Sequence, residues 1–452
     1  MKDLAPTAVS LRHYEAADIT NLENDWYSSN VDANDGLRFI LRRVRNRARD
    51  MERNNPTIRR FVQLMDTNIL GPDGIRLRST VQDAPQVKDA GAIRVIEAAW
   101  KEFEMVADVT GHGSLRDAAG EFLRRWFVDG EAIARILIGD FNEFGVAVQI
   151  LDPDTLDETK NRIHERGRND IRMGVEQDQW GRPVRYYFRK DEGYYTENHV
   201  VLGSDYLIHD FMRERPAQSR GVTWLAPTMQ RERMHHAFEQ AIVIGSRVAA
   251  SKMGFFLPNQ DRGYTGAGRE SDGTTSMSCR PGEFETLPMG LEFQSFDPGY
   301  PPANFDSFQK AVKKSIAAGL GVNYTALASD LEGTNYSSIR AGSLEDRDLY
   351  RTFQNRLARV FYRPLFLAWL ETGMLTGAIP LPVTKYEKFR RHEWRGRGWD
   401  WVDPLKQEKA NETALANKTT SRRRICDRLG VDFDEIASEL KQEREMLGIA
   451  GE

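Results

Sequence analysis

Cysteine is scarce in this sequence: Cys279 and Cys426 are the two present in 452 residues. Two distant cysteines exclude a disulfide framework and a cysteine-rich zinc site, and they favour a reducing compartment. Long apolar runs are also lacking, because the most apolar helical stretch, AIVIGSRVAA, is short and contains Arg247. The first residues show no apolar core of a secretory signal. We therefore expect a soluble intracellular protein with no membrane partner.

A strong excess of one charge is missing as well, since the formal net charge is -4. No global positive field advertises a nucleic-acid partner, although local charge matters more than the sum. The phosphate-loop pattern GxxxxGK[ST] is absent, which argues against an ATP-driven motor, and so is the serine-hydrolase pattern GxSxG. His235 and His236 are adjacent rather than four residues apart, so they do not form a zinc helix. We expect no catalytic residue, no metal and no cofactor.

What is present begins with a strongly basic segment, Leu37 to Arg60, which holds nine arginines against Asp50 and Glu52. Its apolar residues recur every three to four positions, which predicts an amphipathic helix. The arginines either face solvent or contact phosphates or an acidic neighbour. The candidates for such a contact are Arg42, Arg45 and Arg49.

The region from Trp126 to Phe211 has a different texture, with apolar runs separated by turn signals, and it predicts a small β-rich unit. It contains an acidic cluster in the stretch LDPDTLDET. Carboxylates at a strand end can hold Mg²⁺, so a metal-dependent nuclease that uses Asp152, Asp154 and Asp157 is one hypothesis. The Asp-Pro opening favours the other, an ordinary turn.

Two long helices are predicted around a segment rich in Gly, Pro, Ser and Thr. The first covers WLAPTMQRERMHHAFEQAIVIGSRVAASKMG and has Pro227 in its first turn. Small residues on one face would allow close packing beside another helix, in the same chain or in a copy; the predicted contact residues are Phe238, Ala241, Gly245 and Ala249. The second helix, NFDSFQKAVKKSIAAGLG, carries Lys310, Lys313 and Lys314 opposite its apolar side.

A third long helix is predicted from about Ser337 to Thr372, with Ser337 as its N-cap and a kink at Pro364. The stretch before it, VNYTALASDLEGTNYSSIRAG, contains acidic residues and serines but no base that could activate a nucleophile, so it reads as a connecting loop. Further on, Gly430 is expected to end a helix, and Asp432 with Glu435 to begin the next.

The order of these parts resembles the lambda-family portal proteins of tailed bacteriophages over nearly the whole chain. The matching segments are RARDMERNNPTIRR, QILDPDTLDE, GVEQDQWGRPVRYYF, ERPAQSRGVTWLAPTM, AAGLGVNYTALASDLEGTNYSSIRAGSLEDRDLYR and WDWVDPLKQEKA. The resemblance implies a mainly helical α+β portal fold that assembles as a ring, usually of twelve copies. Such a ring lies at one vertex of the capsid, in the virion, after assembly in the host cytoplasm.

The resemblance also implies a division of the chain. The wing would comprise 1–224 together with 337–398, which includes a long kinked helix. The two stem helices would be 225–255 and 302–320, and the clip would be the segment between them, 256–301. The tunnel loop would be 321–336, and the crown would be 399–452. The tunnel loop would face double-stranded DNA in the channel, through Ser329, Asp330, Leu331, Glu332, Gly333, Thr334 and Asn335. The three stem lysines are possible phosphate contacts, sequence-independent and weak.

The implied partners are the terminase large subunit, head-completion or adaptor proteins, and the major capsid and scaffold proteins. The tryptophans of KYEKFRRHEWRGRGWDW are interleaved with basic residues, a pattern that can bind nucleic acid. Packing between subunits is the favoured interpretation for Trp394, Trp399 and Trp401. A DNA-processing enzyme and a scaffold that forms no ring remain the rival hypotheses.

Overall fold

The computed structural model describes residues 31–190, 198–250, 254–258, 291–295, 304–332, 335–399 and 404–448. Within them the fold is mixed helix and sheet with helix predominating, which confirms the predicted class. The helices are α1 (Ala33–Arg38), α2 (Leu41–Asn54), α3 (Pro56–Ile69), α4 (Ala90–Val106), α5 (Leu115–Val128), α6 (Ala226–Ala250), α7 (Phe305–Leu320), α8 (Tyr324–Ala328), α9 (Tyr336–Leu357), α10 (Arg363–Thr376), α11 (Tyr386–Phe389), α12 (Pro404–Ala416), α13 (Arg422–Leu429) and α14 (Phe433–Leu447).

The strands pair antiparallel in small sheets. They are β1 (Arg76–Ser79), β2 (Gln82–Ala84), β3 (Val87–Lys88), β4 (Glu131–Ile138), β5 (Val146–Leu151), β6 (Asp170–Arg172), β7 (Val175–Gln177), β8 (Pro183–Arg189), β9 (His199–Gly203), β10 (Leu207–Phe211), β11 (Gly254–Pro258), β12 (Leu291–Ser295) and β13 (His392–Arg395). The sheet orders are β10-β4-β5 and β6-β7-β8-β9, with the pairs β1-β13, β2-β3 and β11-β12.

The main apolar core packs α3, α4, α5 and α10 against one another and against β4 and β5. Its centre is aromatic: the Trp100 and Trp369 rings meet edge to face with centroids 5.0 Å apart. Phe103 and Phe366 pack against the same indole of Trp369. Aromatic pairs in this geometry add about 0.5–1.5 kcal/mol each beyond their buried area, so this cluster anchors α4 to α10.

The predicted β-rich unit is confirmed, and it has a small core of its own. Ile133 and Leu207 on the three-stranded sheet pack with Val175, Tyr186 and Phe188 on the four-stranded sheet. Alternation explains the arrangement, since every second residue of a strand points to the same face. The two sheets thereby share one apolar core, which also includes Leu156 of the acidic turn at 152–158.

The basic segment is three helices rather than one. Asn55 ends α2 in an extended conformation, and its side chain accepts a hydrogen bond from the Ile58 backbone N–H, while Pro56 occupies the first turn of α3. An asparagine cap followed by proline starts a new helix, because proline cannot continue the preceding hydrogen-bond ladder. The predicted helical periodicity is confirmed, whereas the break at Asn55 and Pro56 was not predicted.

The third long helix starts one residue earlier than predicted, and its N-cap is Asn335, not Ser337. The Asn335 side chain accepts a hydrogen bond from the Ser338 backbone N–H at 2.8 Å. Pro364 has its predicted effect, in the form of a π-helical turn, Ala358–Tyr362, between α9 and α10. Proline lacks an N–H and its ring clashes with the carbonyl four residues earlier, and a widened turn accommodates both.

Helices α6 and α7, the predicted stem helices, pack side by side, and the strands β11 and β12 pair with each other within the segment between them. The rest of that segment, 259–290 and 296–303, lies outside the described residues. At the C-terminal end, Gly430 ends α13 with φ 78° and Asp432 caps α14, as predicted. Among the described residues, no helix is long and apolar enough to cross a membrane.

Candidate functional site

The segment between α7 and α9 is a short, well-tied loop. Gly321 ends α7 in the left-handed conformation with φ 74°, and Asn323 caps α8. Ser329 then reverses the chain with φ 53°. The carboxylate of Asp330 accepts hydrogen bonds from the Tyr324 hydroxyl at 2.8 Å and from the Glu332 backbone N–H at 3.0 Å. The loop is therefore held by its own side chains up to its tip.

Lys310 ties this loop back to the stem. Its ammonium lies 3.1 Å from the Glu332 carboxylate and 3.0 Å from that of Asp306 on the same helix. Hydrogen bonds to Asp306 and Glu332 raise the pKa of Lys310. The tip beyond the tether is exposed, with Leu331 at 64%. Gly333 and Thr334 lie outside the described residues.

The base of the loop rests on α9. Asp346 accepts a hydrogen bond from the Asn323 backbone N–H at 3.0 Å. Gly342 lies against the same asparagine so closely that a Cβ at residue 342 would come 1.7 Å from its Nδ2 atom. Burial raises the pKa of Asp346 to about 6. Loop and helix are thus coupled through a contact that only glycine permits.

The other two stem lysines are also engaged within the subunit. Lys313 on α7 lies 3.2 Å from the Glu239 carboxylate on α6, and this ion pair joins the two stem helices. The ammonium of Lys314 lies 5.7 Å from the centroid of the Tyr324 ring. The three lysines considered as phosphate contacts therefore already contact groups of their own chain.

The stem helices meet through aromatic rings. Phe238 on α6 packs against Phe305 and Phe308 on α7, with centroids 6.1 and 5.2 Å apart. Ala241 is exposed and Gly245 half-buried; the side chain of Ala249 lies outside the described residues. Exposed apolar side chains lie on two sides of α6: Met234 and Val243 are each 67% exposed, and nine helical residues place them about 180° apart.

The basic segment contacts the acidic turn of the same chain. Arg45, 1% exposed, lies 2.5 Å from Glu131 and 2.6 Å from Asp154. Arg49 reaches Asp129 at 2.7 Å and Asp152 at 2.6 Å. Of the two partners considered, phosphate and an acidic neighbour, the structure places Arg45 and Arg49 on the acidic neighbour. Arg42 is close enough to help lower the pKa of Asp154, an effect led by Arg45 against the opposing effect of burial.

These contacts also account for the acidic cluster. Asp152 accepts a hydrogen bond from the Asp154 backbone N–H and caps the 3₁₀ turn Pro153–Thr155, as in the turn interpretation. Asp157 lies 2.7 Å from His199 and 3.1 Å from Arg189. Across the described part of the chain, no group of three or more His, Cys, Asp or Glu is arranged to hold a metal ion. The carboxylates neutralise arginines.

The two described tryptophans of the basic segment make contacts within their own chain, and both stay half-buried, so packing between subunits remains a prediction. Trp394 packs inside its own subunit, against Trp100 and Tyr362. The indole of Trp399 stacks on Tyr350 and donates to the Asn68 side chain at 3.1 Å. Strand pairing between β13 and β1 holds this segment against the core. Trp401 lies outside the described residues.

Sequence reasoning missed a second ionic cluster, at the base of the C-terminal helices. Arg395 lies 2.9 Å from both Asp427 and Asp432, and Arg78 lies 3.1 Å from Asp434. The residues come from β1, β13, α13 and α14, so no local pattern could have revealed them. They fasten 422–447 to the wing.

Comparison with known proteins identifies the family. The sequence model of "Phage portal protein, lambda family" matches residues 20–354. The chain is 32% identical over 449 residues to the "Probable portal protein" of Halomonas phage phiHAP-1, covering 96% of this chain and 86% of that protein. It is 22% identical over 455 residues to "Portal protein B" of Escherichia phage lambda, covering 88% and 82%.

A solved chain from the neck of a native GTA particle, computed with C12 symmetry, is 12% identical and aligns with 85% of this chain and 93% of its own length. Its TM-score of 0.43 is too low to add to the assignment. The sequence matches suffice by themselves. The chain belongs to the lambda family of phage portal proteins, and it is a portal protein of the phage head–tail connector.

Proposed function

We propose that twelve copies of this chain close into a ring at one capsid vertex, and that double-stranded DNA enters and leaves through its centre. The exposed apolar side chains on two sides of α6 support ring closure, because a subunit within a ring has a neighbour on each side. The small side chain of Ala241 and the glycine at 245 would let a helix of the next copy approach closely. Mass by light scattering, with negative-stain imaging of the same peak, tests the ring. A stable monomer would contradict it.

The tunnel loop, 321–336, is a mechanical element that faces the DNA through residues 329–335. One observation carries this assignment in a chain of this family. The loop joins the end of α7 to α9, and it exposes Leu331 next to Glu332, the residue that Lys310 binds. The loop guides the duplex by bulk, since Lys310 and Lys313 form ion pairs within the chain and Lys314 lies over the Tyr324 ring. Contacts of this kind carry no base sequence specificity.

Deletion of 331–334 tests the loop. The expected result is a ring of normal mass with impaired DNA packaging or retention in complemented phage. Leu331→Ser should weaken the same step, whereas Leu375→Ser, at an exposed wing position, should not. Failure of the deletion variant to assemble would assign the loop a structural role instead.

The segment 256–301 docks the terminase large subunit and later the head-completion or adaptor proteins, while scaffold and major capsid proteins surround the wing during assembly in the host cytoplasm. The pairing of β11 with β12 supports a projecting segment, because it brings the two ends of 259–290 together. Replacing 259–290 by a short Gly-Ser linker should abolish terminase capture by an otherwise intact ring. Undiminished capture would place the docking surface elsewhere.

The ring has no enzymatic activity of its own. The hypothesis of a metal-dependent nuclease requires free carboxylates, and Asp152, Asp154 and Asp157 are each within 3.1 Å of an arginine or histidine. Incubation of the purified protein with duplex DNA and Mg²⁺ should leave the DNA intact. Cleavage that disappears in Asp152→Asn would restore the nuclease hypothesis.

A further inference from the structure

A basic cleft lies on the wing, apart from the stem and the tunnel loop. It has a volume of about 700 Å³ and lies where the π-helical turn meets β13. The cleft is lined by four arginines, Arg359, Arg363, Arg390 and Arg391, together with Thr80 and Asn355. Its one lining carboxylate, Glu393, lies 3.8 Å from Arg78.

Two of these arginines lack a counter-charge. Among the residues that the structure describes, Arg359 and Arg363 have no ion pair within 4.0 Å, and both are exposed. By contrast, Arg390 is paired with Glu387 at 2.8 Å, and Arg391 donates to the Gln82 side chain at 3.2 Å. Elsewhere on the wing, Arg45, Arg49, Arg78 and Arg395 are all neutralised by carboxylates of the chain. Arg359 and Arg363 differ from single exposed arginines in that they share one cleft with Arg390 and Arg391, so four guanidinium groups meet a single lining carboxylate.

The π-helical turn sets the geometry of the pair. Arg359 lies in this turn and Arg363 begins α10, four residues later. A π turn holds between four and five residues, so residues four apart lie nearly above one another, and π turns are frequent at functional sites. Two guanidinium groups are thereby directed to the same side. Each presents N–H donors in a planar fork that matches phosphate oxygens.

His392 lies in the positive potential of the cleft arginines. Its ring lines the cleft, and its Nδ1 atom lies 2.7 Å from the Arg390 carbonyl oxygen. Burial lowers the pKa of His392, and the positive charges of Arg363 and Arg390 lower it further. A neutral imidazole does not neutralise the arginines around it, so their positive charge is left for a ligand.

We infer that this cleft is a phosphate-binding site, with Arg359 and Arg363 as its principal ligands. The phosphate can come from the backbone of duplex DNA outside the channel or from a free phosphate compound. An acidic protein segment fits less well, because protein interfaces are centred on buried aromatic or aliphatic anchors. None of the strongly exposed apolar side chains of the described residues lines the cleft. The inference does not depend on the channel assignment.

The test compares two double variants of the full-length protein. Arg359→Gln/Arg363→Gln empties the cleft of its unpaired charges, and Arg166→Gln/Arg168→Gln removes the same charge from an exposed loop of the wing. Binding of a fluorescent 30-base-pair duplex is measured by anisotropy at several salt concentrations. The cleft variant should bind at least tenfold more weakly in 0.1 M salt, and its slope of log K against log salt should be smaller by roughly two, since each lost phosphate contact removes about 0.9. The loop variant should change neither by more than twofold.

Pyrophosphate distinguishes the two sources. If millimolar pyrophosphate competes with the duplex for the wild type but not for the cleft variant, an isolated phosphate compound suffices. If the cleft variant loses duplex binding and pyrophosphate never competes, the site requires the spaced phosphates of DNA. Equal affinities and slopes for both double variants would overturn the proposal, as would capture of an acidic peptide with duplex binding unchanged. Because binding is measured outside the phage, the result is independent of ring closure and packaging.

Discussion

Arg220 forms a bidentate ion pair with Glu131: its Nε lies 2.8 Å from Oε2, and its Nη2 lies 2.6 Å from Oε1. Both side chains are fully buried. Arg45 and His209 approach the same carboxylate. Burial would raise the pKa of Glu131, but Arg220, His209 and Arg45 hold it well below its usual range. This ionic centre joins α2, β4 and β10 to the segment between β10 and α6, in which Arg220 lies.

Glu131→Gln should therefore be severely destabilising. It leaves Arg45 and Arg220 in the interior without their shared counter-charge, and breaking a buried ion pair costs about 3–5 kcal/mol. The free energy of unfolding from urea titration measures the loss. Glu121→Gln, at an exposed position on α5, is the matched control and should change it by less than about 0.5 kcal/mol. A loss below 1 kcal/mol for Glu131→Gln would contradict the role assigned to this centre.

The stability of the loop base should depend on pH through Asp346. Its pKa is about 6 in the folded state because of burial, above the ordinary value of 3.8. The folded state thus binds a proton more tightly than the unfolded state, and this carboxyl makes folding less favourable as pH rises from about 4 to 6. Asp346→Asn keeps an oxygen acceptor for the Asn323 N–H and should remove this slope.

The measurement is hydrogen exchange of 321–328 and of the start of α9 between pH 4 and 8, corrected for intrinsic rates. Asp346→Asn should raise protection at pH 7–8 and flatten its pH profile. Asp348→Asn, at an exposed position on the same helix, should keep the wild-type profile. A profile unchanged by Asp346→Asn would show that another group sets it.

The C-terminal helices should loosen in salt before the wing does. No residue of α13 or α14 is buried, and the attachment depends on ion pairs of Arg78 and Arg395 with Asp427, Asp432 and Asp434. Surface pairs contribute about 0.2–1 kcal/mol each and are screened once the Debye length falls to a few ångströms. Limited proteolysis of 422–447 should accelerate between 0.05 and 1 M NaCl.

Arg395→Gln should reproduce this acceleration at low salt, because it removes two of the pairs. Lys441→Gln, which affects one exposed pair within α14, is the control and should not. If proteolysis proves insensitive to salt, apolar contacts rather than charge hold these helices.

Ring closure should be sensitive to a charge introduced at Ala241 on α6. Ala241 is exposed in the subunit, so Ala241→Glu should leave subunit folding intact by circular dichroism. In the ring it would place an unpaired carboxylate against a neighbouring helix, which is costly. Light scattering should then show smaller particles. Gln240→Glu adds the same charge at the preceding position of the helix, directed about 100° away, and this variant should still form rings. Unaltered rings from Ala241→Glu would place the interface elsewhere.

The sequence by itself determined the local features of this protein. Gly430, Asp432 and Pro364 act where they were expected to, because caps and breaks depend on the conformation of a few neighbouring residues. The β-rich unit and the stem helices followed from periodicity for the same reason. The order of the motifs revealed the family. Asn335 and Ser337 both suit an N-cap, and local pattern alone could not choose between them.

The tertiary structure decided which charges and rings meet. The arginines of α2 were visible in the sequence, but the partner of Arg45, Glu131, lies 86 residues away. Strand pairing with β1 places Trp394 against the core beside Trp100, a contact that the local sequence did not indicate. Long-range pairing depends on how distant elements pack, and neither composition nor spacing records that packing. The packing of the π-helical turn beside β13 likewise brings Arg359 and Arg363 into one cleft with Arg390 and Arg391, which are far from them in sequence.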